Sequence, residues 1–590
     1  MTPIQTFIRL RPVAQEIIMN YIRSRGITAA GFTEYLQPPL QLELGYLPEA
    51  DAFIKRLTAA INTKEKILIF GDYDCDGITS TAILLRCLRE LAGITPAWSL
   101  PNRQHDFYGL DLEKAKSLFK THQPTLLICL DNGSNANEAI AWLQQHGVDT
   151  LVADHHPLEG KRPEAIALVN PKAHGTDTDD CCAVGLTLLL CERLAKAWNA
   201  EAKWNRDTAV ILAGIGTVAD AVSLTPLNRS IVKNAIKFMS DSRKVAPIPG
   251  IAALLANAVA VNQRQLQFDI IPKLNAIGRL GDAEPAVTLL TTADPVLAKS
   301  IATHCCERNE LRKGLQRQMV HQAKALAGII VNDHPETPVL VLAESSWHHG
   351  VAGPAASQVA ETFQRSAILL APHTEGQWKG SGRSANGDHL GRWVKDAKNL
   401  GLAERGGGHA AAVGLVTTSS QIAMLQSAGL FLPMPQTNHE PETEIIGDSG
   451  QLSPSEWATL IELLSPFGRK NPFPLIRVTG AVCQDEPTAL VSKEDQQIWA
   501  LKAKFKVRDG KIISILWRDA EAARQQWTAG ARCDLALELT VQRKADKIFY
   551  NWSAISSQPS DSNRQNYRQT QEALAATGRT SCGSPRQFNA

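Results

Sequence analysis

From residue 64 onward, short apolar runs alternate with helix-patterned segments, and each run stops on an acid. "KILIF" leads into Asp72, "PTLLICL" stops at Asp131 and "VDTLVA" stops at Asp154. Between them, "GITSTAILLRCLRELAG" reads as a helix closed by Gly93, and "NEAIAWLQQHG" as the next helix. A chain that repeats strand and helix in this way folds as a parallel sheet with crossover helices. Ligands of such sheets bind beyond the carboxyl ends of the strands. The acids should therefore gather along one edge.

The acids are unusually dense. Asp72, Asp74 and Asp76 occupy every second position of "GDYDCDG", and on an extended segment all three would point the same way. Asp154 is followed by His155 and His156, and "AGIGTVADAVSL" delivers Asp220 after another apolar stretch, read as a fourth strand end. Carboxylates mixed with imidazole suit Mn²⁺, and Mg²⁺ where oxygen ligands dominate. Two such ions sharing a carboxylate turn water into a nucleophile and stabilise an in-line phosphoryl displacement. The first motif alone is equally compatible with an acidic surface turn. A calcium loop is disfavoured because apolar helix stands where its final glutamate belongs. Four acidic sites together point to a dinuclear metal centre.

With 590 residues the chain exceeds one hydrophobic core, so two to four domains are expected. Lys and Arg total 61 against 59 acids, a net charge of +2. That excludes a histone-like protein but leaves room for a locally basic groove. No run reaches the roughly 18 apolar residues of a membrane span, and the N-terminus lacks a signal-peptide pattern. The cysteines, including the adjacent pairs Cys181–Cys182 and Cys305–Cys306, lack zinc-ligand spacing. A soluble cytoplasmic protein with reduced thiols is expected.

Composition shifts suggest the organisation. An N-terminal segment, 1–60, precedes an α/β catalytic domain at 61–285. A long connector helix follows at 286–330, with Asp294 as N-cap and Pro295 in the first helical position. It would span about 50 Å. A second α/β domain occupies 331–425 and contains "ERGGGHAAAVG". A β-rich domain at 426–556 suggests a small barrel or sandwich, and the polar tail at 557–590 reads as disordered.

The motifs resemble the DHH phosphoesterase superfamily and, within it, the RecJ single-strand-specific DNA exonucleases. The matching stretches, in order, are "GDYDCDG", "PNRQHDFYGL", "CLDNG", "ADHH", "GTVADAVSL", "PKLNAIGRLGDAEPAVTLL", "SSWHHGVAGPAASQVAE", "GSGRS" and "GGGHAAAVGL", with "LSPFGRKNPFP" reaching the β-rich domain. They cover about residues 65 to 420. The resemblance implies two Mn²⁺ or Mg²⁺ ions. Asp74 and Asp131 would help hold one, and Asp76, Asp131, His155 and Asp220 the other, with Asp131 as bridge. Many superfamily members carry a histidine where this chain has Phe70, and Asp72 takes its place as in the RecJ branch. The resemblance sets Asp154 behind the ligands or on a metal, and turns His156 to the scissile phosphate. It gives Arg103 and Tyr108 nucleic-acid contacts, and makes Asn275 and Arg279 a phosphate-binding pair. Ser381, Arg383 and Ser384, with Gly406, Gly407, Gly408 and His409, would form a second phosphate cradle. Glycines there would let backbone N–H groups approach an anion.

One clue stands apart from the resemblance. In "LKAKFKVRDGK", Lys502, Lys504, Lys506 and Arg508 alternate with apolar residues, so a strand would present four cations on one face. Such a row suits a phosphate backbone, and a five-stranded barrel of the OB type would fit. The expected activity is 5′-to-3′ degradation of single-stranded DNA to 5′-mononucleotides, in repair and recombination. A monomer working with a helicase and a single-strand-binding protein is expected. Two alternatives are an oligonucleotide or cyclic-dinucleotide phosphodiesterase of the superfamily, and a non-catalytic DNA-binding scaffold.

Overall fold

The computed structural model describes residues 2–560 apart from 43–46, 104–108, 176–179, 256–260, 375, 386–387, 432, 435–443, 492–497, 519 and 545–546. The chain forms two compact units: Leu40–Pro441, and Met1–Pro39 together with Glu442–Ala590.

The larger unit is built on the expected parallel sheet. Its strands are β1 (Ile67–Phe70), β2 (Ala97–Ser99), β3 (Leu126–Leu130), β4 (Asp149–Ala153) and β5 (Ala167–Val169), in the order β2-β1-β3-β4-β5. All four pairings are parallel. Successive residues feed opposite faces: Ile67, Ile69, Ile128 and Leu151 join one core, and Leu68, Phe70, Cys129 and Val152 the other. A sheet buried on both sides explains why these strands read as unbroken apolar runs rather than alternating ones.

Helix α1 (Cys75–Ala92) follows β1 directly and ends at Gly93, whose φ of 69° stops it. Helices α2 (Ala183–Ala197) and α3 (Arg206–Ala219) pack with it in the same core. Helix α4 (Ile271–Leu280) precedes the connector α5 (Pro295–Asp333). The Asp294 side chain accepts from Val296 N, so the expected cap is in place. The helix runs through Gly314 without a break for 39 residues, roughly 58 Å at 1.5 Å per residue.

A second sheet follows: β6 (Val339–Ala343), β7 (Ser366–Pro372), β8 (Gln377–Arg383), β9 (Arg405–Gly408) and β10 (Ala412–Thr418), ordered β6-β7-β8-β10-β9. Only β6–β7 is parallel. The glycine run is thus an edge strand, paired with β10 on one side.

In the smaller unit the strands are β11 (Glu444–Asp448), β12 (Pro474–Cys483), β13 (Thr488–Val491), β14 (Ile498–Lys506), β15 (Ile512–Trp517), β16 (Arg532–Lys544) and β17 (Lys547–Pro559). Five of them close on themselves, β12-β16-β17-β15-β14 and back to β12. The β15–β17 pair is parallel and the other four are antiparallel. Five strands closed in this way form a small barrel, with a helix (Ala520–Gln526) between β15 and β16. Phe505, Trp517, Trp527 and Trp552 fill its core alongside Ile18, Tyr21, Ile22 and Leu36 from the N-terminus. The Asn471 Oδ1 accepts from Tyr21 Oη, Tyr35 Oη and Arg25 Nε at 2.8–3.1 Å.

The first 60 residues are therefore shared. Those up to residue 39 belong to the smaller unit, while Phe53, Ile54 and Leu57 of the helix Ala50–Asn62 join the core of the larger one. Strand β17 runs to Pro559, past the start expected for the tail, and residues 561–590 lie outside the described ones. No helix among the described residues is long and apolar enough to cross a membrane.

Candidate metal centre and substrate cleft

Asp72, Asp131 and Asp154 follow the carboxyl ends of the adjacent strands β1, β3 and β4, the edge at which the sequence pattern placed them. The convergence of the first motif has a different origin from the one expected. Strand β1 stops at Phe70, so Asp72, Asp74 and Asp76 do not share one side of an extended segment. Asp72 lies in the loop, Asp74 is the N-cap of α1, accepting from the N–H groups of Asp76 and Gly77, and Asp76 sits in the first turn. Asp220 is likewise not at a strand end. It is the C-cap of α3, brought in because α3 packs beside α1.

The donor atoms fall into groups. Those of Asp72, Asp74 and Asp131 lie within 4.8 Å of one another, as do those of Asp76, His155 and Asp220. The His155 Nε2 is 3.3 Å from Asp131 Oδ1, 3.6 Å from Asp220 Oδ2 and 3.8 Å from Asp76 Oδ2. Asp131 thus stands between the two groups. Its φ of 62° is a left-handed conformation that costs a non-glycine residue energy, the kind of strain that collects at functional sites. Asp76 is held by the N-terminus of α2, its two oxygens accepting from Ala183 N at 2.9 Å and Val184 N at 2.8 Å.

Burial, then the neighbouring carboxylates, push Asp72, Asp131 and Asp220 well above the usual range and Asp76 up to about 7. Buried acids so close repel one another unless a cation joins them. Asp72 Oδ2 and Asp131 Oδ1 are buried and make no hydrogen bond among the described residues. Buried oxygens without a hydrogen bond, facing a cluster of acids and an imidazole, fit one or two hard divalent cations.

The two histidines differ. Burial, then the charge of His156, lowers His155 to about 3, leaving it a neutral donor. Burial opposes a charge on His156 too, but the charge and hydrogen bond of Asp154 outweigh it and raise the ring to about 9. Asp154 accepts from His156 Nδ1, from the N–H groups of His155 and His156, and from Ser134 N. Its oxygens are thus taken up by four hydrogen bonds from the chain. Asn170 bonds both Ser134 Oγ and the His156 carbonyl at 2.8 Å.

Cations collect beside the acids. Burial, followed by the charges of Arg103, Arg312 and Arg383, lowers Arg279 to about 9. Arg279 Nη1 donates to Gly350 O at 3.3 Å, Lys379 Nζ donates to Arg103 O at 3.3 Å, and Arg103 lies 5.1 Å from the Tyr73 ring. The Arg103 Nε and Asn275 Oδ1 are buried and make no hydrogen bond among the described residues. Burial first, and then the charge of Arg103, also lowers Arg383; buried guanidiniums grouped in this way suit an anion. Ser381 and Arg383 end β8, and Ser384 follows it. Gly406, Gly407 and Gly408 lie on the edge strand β9, with His409 directly after it. Tyr108 lies outside the described residues. His348 Nδ1 accepts from Gly350 N and caps a turn.

Sequence reasoning missed Lys379, which touches Arg103. Nothing in the local pattern marks that lysine. In the barrel, Lys502, Lys504 and Lys506 are exposed between the buried Leu501, Ala503 and Phe505, as the alternation predicts. Two details differ: Arg508 lies beyond the end of β14, and Lys504 is engaged with Asp485 at 3.4 Å.

Comparison with known proteins adds to this geometry. Residues 66–215 match the DHH family, N-terminal domain, and residues 336–428 match the DHHA1 domain. The single-stranded-DNA-specific exonuclease RecJ of Escherichia coli K12 is 30% identical over 483 residues, covering 78% of this chain and 82% of that protein. The Salmonella typhimurium protein of the same name is 31% identical with the same coverage. The Bacillus subtilis one is 29% identical, and the match spans only 54% of its length. A crystal structure of RecJ with Mn²⁺ from Thermus thermophilus has a TM-score of 0.75 at 24% identity, covering 95% of this chain and 79% of that one. A crystal structure of exonuclease RecJ bound to manganese has a TM-score of 0.57 at 27% identity, covering 66% of this chain and 95% of that one.

Proposed function

The chain belongs to the RecJ family, and on that premise we propose that it is a two-metal exonuclease that degrades single-stranded DNA from the 5′ end to 5′-mononucleotides. The observation that supports this is a group of buried carboxylate oxygens making no hydrogen bond among the described residues, with Arg103 beside the Tyr73 ring in the same loop. Asp72, Asp74 and Asp131 would hold one Mn²⁺ or Mg²⁺ ion, and Asp76, Asp131, His155 and Asp220 the other. Bound there, the ions supply an activated water and charge stabilisation at the scissile phosphate.

The chain's own groups do the rest. Asp154 fixes the His156 ring through Nδ1, which leaves the opposite nitrogen to donate to a phosphate oxygen. Arg103, Arg279 and Arg383, with Asn275, Ser381 and Ser384, bind the backbone phosphates beside the cut. Backbone N–H groups on the open edge of Gly406–Gly408 and the His409 ring close the cradle from the other side. The lysine row of β14 follows the phosphate backbone of a longer strand. In this reading a helicase supplies the single strand, a single-strand-binding protein covers it, and the nuclease acts as a cytoplasmic monomer in repair and recombination.

The test is digestion of an end-labelled single strand by the full chain, with and without Mn²⁺, comparing 5′-blocked and 3′-blocked substrates. Processive release of mononucleotides from the 5′ end is expected, with no cleavage by Asp131→Ala. Activity confined to dinucleotides would favour the oligonucleotide phosphodiesterase. Equal binding by wild type and Asp131→Ala without cleavage would favour a scaffold.

A further inference from the structure

Between the metal site and the surface, one face of α4 and of the turn before it carries groups that the proposed chemistry leaves unused. Residues Leu266–Ile270 form a π-helical turn leading into α4, and such turns are frequent at functional sites. Inside it Leu266 and Ile270 are fully buried, whereas Phe268 is 60% exposed. Arg264 covers the Phe268 ring, its guanidinium carbon 5.0 Å from the centroid. Residues 264, 268, 272, 275 and 279 follow one another by four, four, three and four, which places them along one helix face. Arg264 and Phe268 therefore share a stripe with Asn275 and Arg279.

The far end of the stripe is anchored at the metal site. A Cβ on Gly278 would lie 2.5 Å from the Tyr73 carbonyl oxygen, so α4 rests directly on the loop between Asp72 and Asp74. From Arg279 to Phe268 is eleven residues, roughly 16 Å along the axis. A strand whose phosphate is held at Arg279 and whose chain runs outward along this face meets the exposed ring several nucleotides on.

We propose that Phe268, flanked by Arg264, is a stacking platform for one base of the single strand, several nucleotides to the 3′ side of the phosphate at Arg279. The arginine contributes a cation beside the ring and a contact to the backbone. Because every base has a π-face, the platform reads no sequence. The inference rests on the exonuclease reading above.

The test uses the full chain, without Mn²⁺ for binding and with Mn²⁺ for cleavage, and single-stranded oligonucleotides in which one abasic residue is walked inward from the 5′ end. Wild type should lose affinity by about 5-fold or more at one interior position, the lower end for loss of a stacked base. Phe268→Ala should bind the intact strand as weakly as wild type binds that abasic strand, and should be indifferent to the abasic residue there. Phe268→Trp should restore the dependence, and Gln267→Ala, exposed beside the stripe, should match wild type. The exposed ring predicts an unchanged melting temperature for Phe268→Ala. Cleavage by all four proteins, with the same abasic affinity profile in each, overturns this inference alone. Failure of wild type to cleave any single strand overturns the exonuclease reading and this one with it.

Discussion

Asp154 accepts a 2.7 Å hydrogen bond from Nδ1 of His156, and that bond divides the work of two adjacent histidines. His155 turns Nε2 toward Asp76, Asp131 and Asp220, in the manner of a metal ligand. His156 is tethered on one nitrogen by a carboxylate that is itself tied down by three backbone N–H groups. Backing of this kind sets ring orientation and tautomer without touching the metal.

Asp154→Asn keeps the shape but loses the charge that holds His156. Activity should fall about 10–100-fold, the range for loss of an outer partner, with kcat falling more than KM. Calorimetric titration with Mn²⁺ should show near-normal affinity, whereas Asp131→Asn should lose it. Equal loss of Mn²⁺ affinity in both variants would make Asp154 a ligand.

Gly278→Ala sets two effects against each other. Alanine favours a helix interior over glycine by about 1 kcal/mol. The added carbon, however, would sit 2.5 Å from Tyr73 O and 3.2 Å from Ala283 Cβ, and overpacking of this kind costs about 1–3 kcal/mol. Net destabilisation of up to about 2 kcal/mol is expected, with activity lost beyond it because the Asp72–Asp74 loop must move. Thermal melts and single-turnover cleavage check both.

Lys502→Ala and Lys506→Ala should weaken binding of long single strands without altering cleavage of short ones. Each should reduce the slope of log affinity against log salt by about 1 if its ammonium neutralises one phosphate. Lys504→Ala should act less, since Asp485 already engages that side chain. Fluorescence anisotropy across a salt series measures all three.

The smaller unit carries its own acid sensitivity. Glu456 is held down to about 2 by its hydrogen bonds to Arg11 and then to Ser453. A carboxyl whose folded pKa is depressed contributes stability above its usual 4.5, and that contribution is lost as pH falls toward 2. The melting-temperature gap between wild type and Glu456→Gln should be widest above pH 4.5 and should close toward pH 2. A gap independent of pH would mean that the pair contributes through shape alone.

Much of this was readable along the chain. The period of apolar residues identified the parallel sheet, and the residue at the end of each run placed Asp72, Asp131 and Asp154 on one edge. Asp294–Pro295 marked the start of the connector, and strict alternation marked the outward lysines of β14. Each of these is a local matter, because strand period, cap chemistry and chain direction depend on residues within a turn or two.

What the sequence by itself determined, then, is which segments are strands or helices and which ends carry charge. Tertiary structure alone decided that Asp220 arrives from a helix end and that Asp76 is held by N–H groups 107 and 108 residues further on. It also decided that the first 39 residues complete a core belonging to the C-terminal barrel. Those facts depend on which apolar faces bury one another, and burial is non-directional, so a chain read locally does not announce its partners.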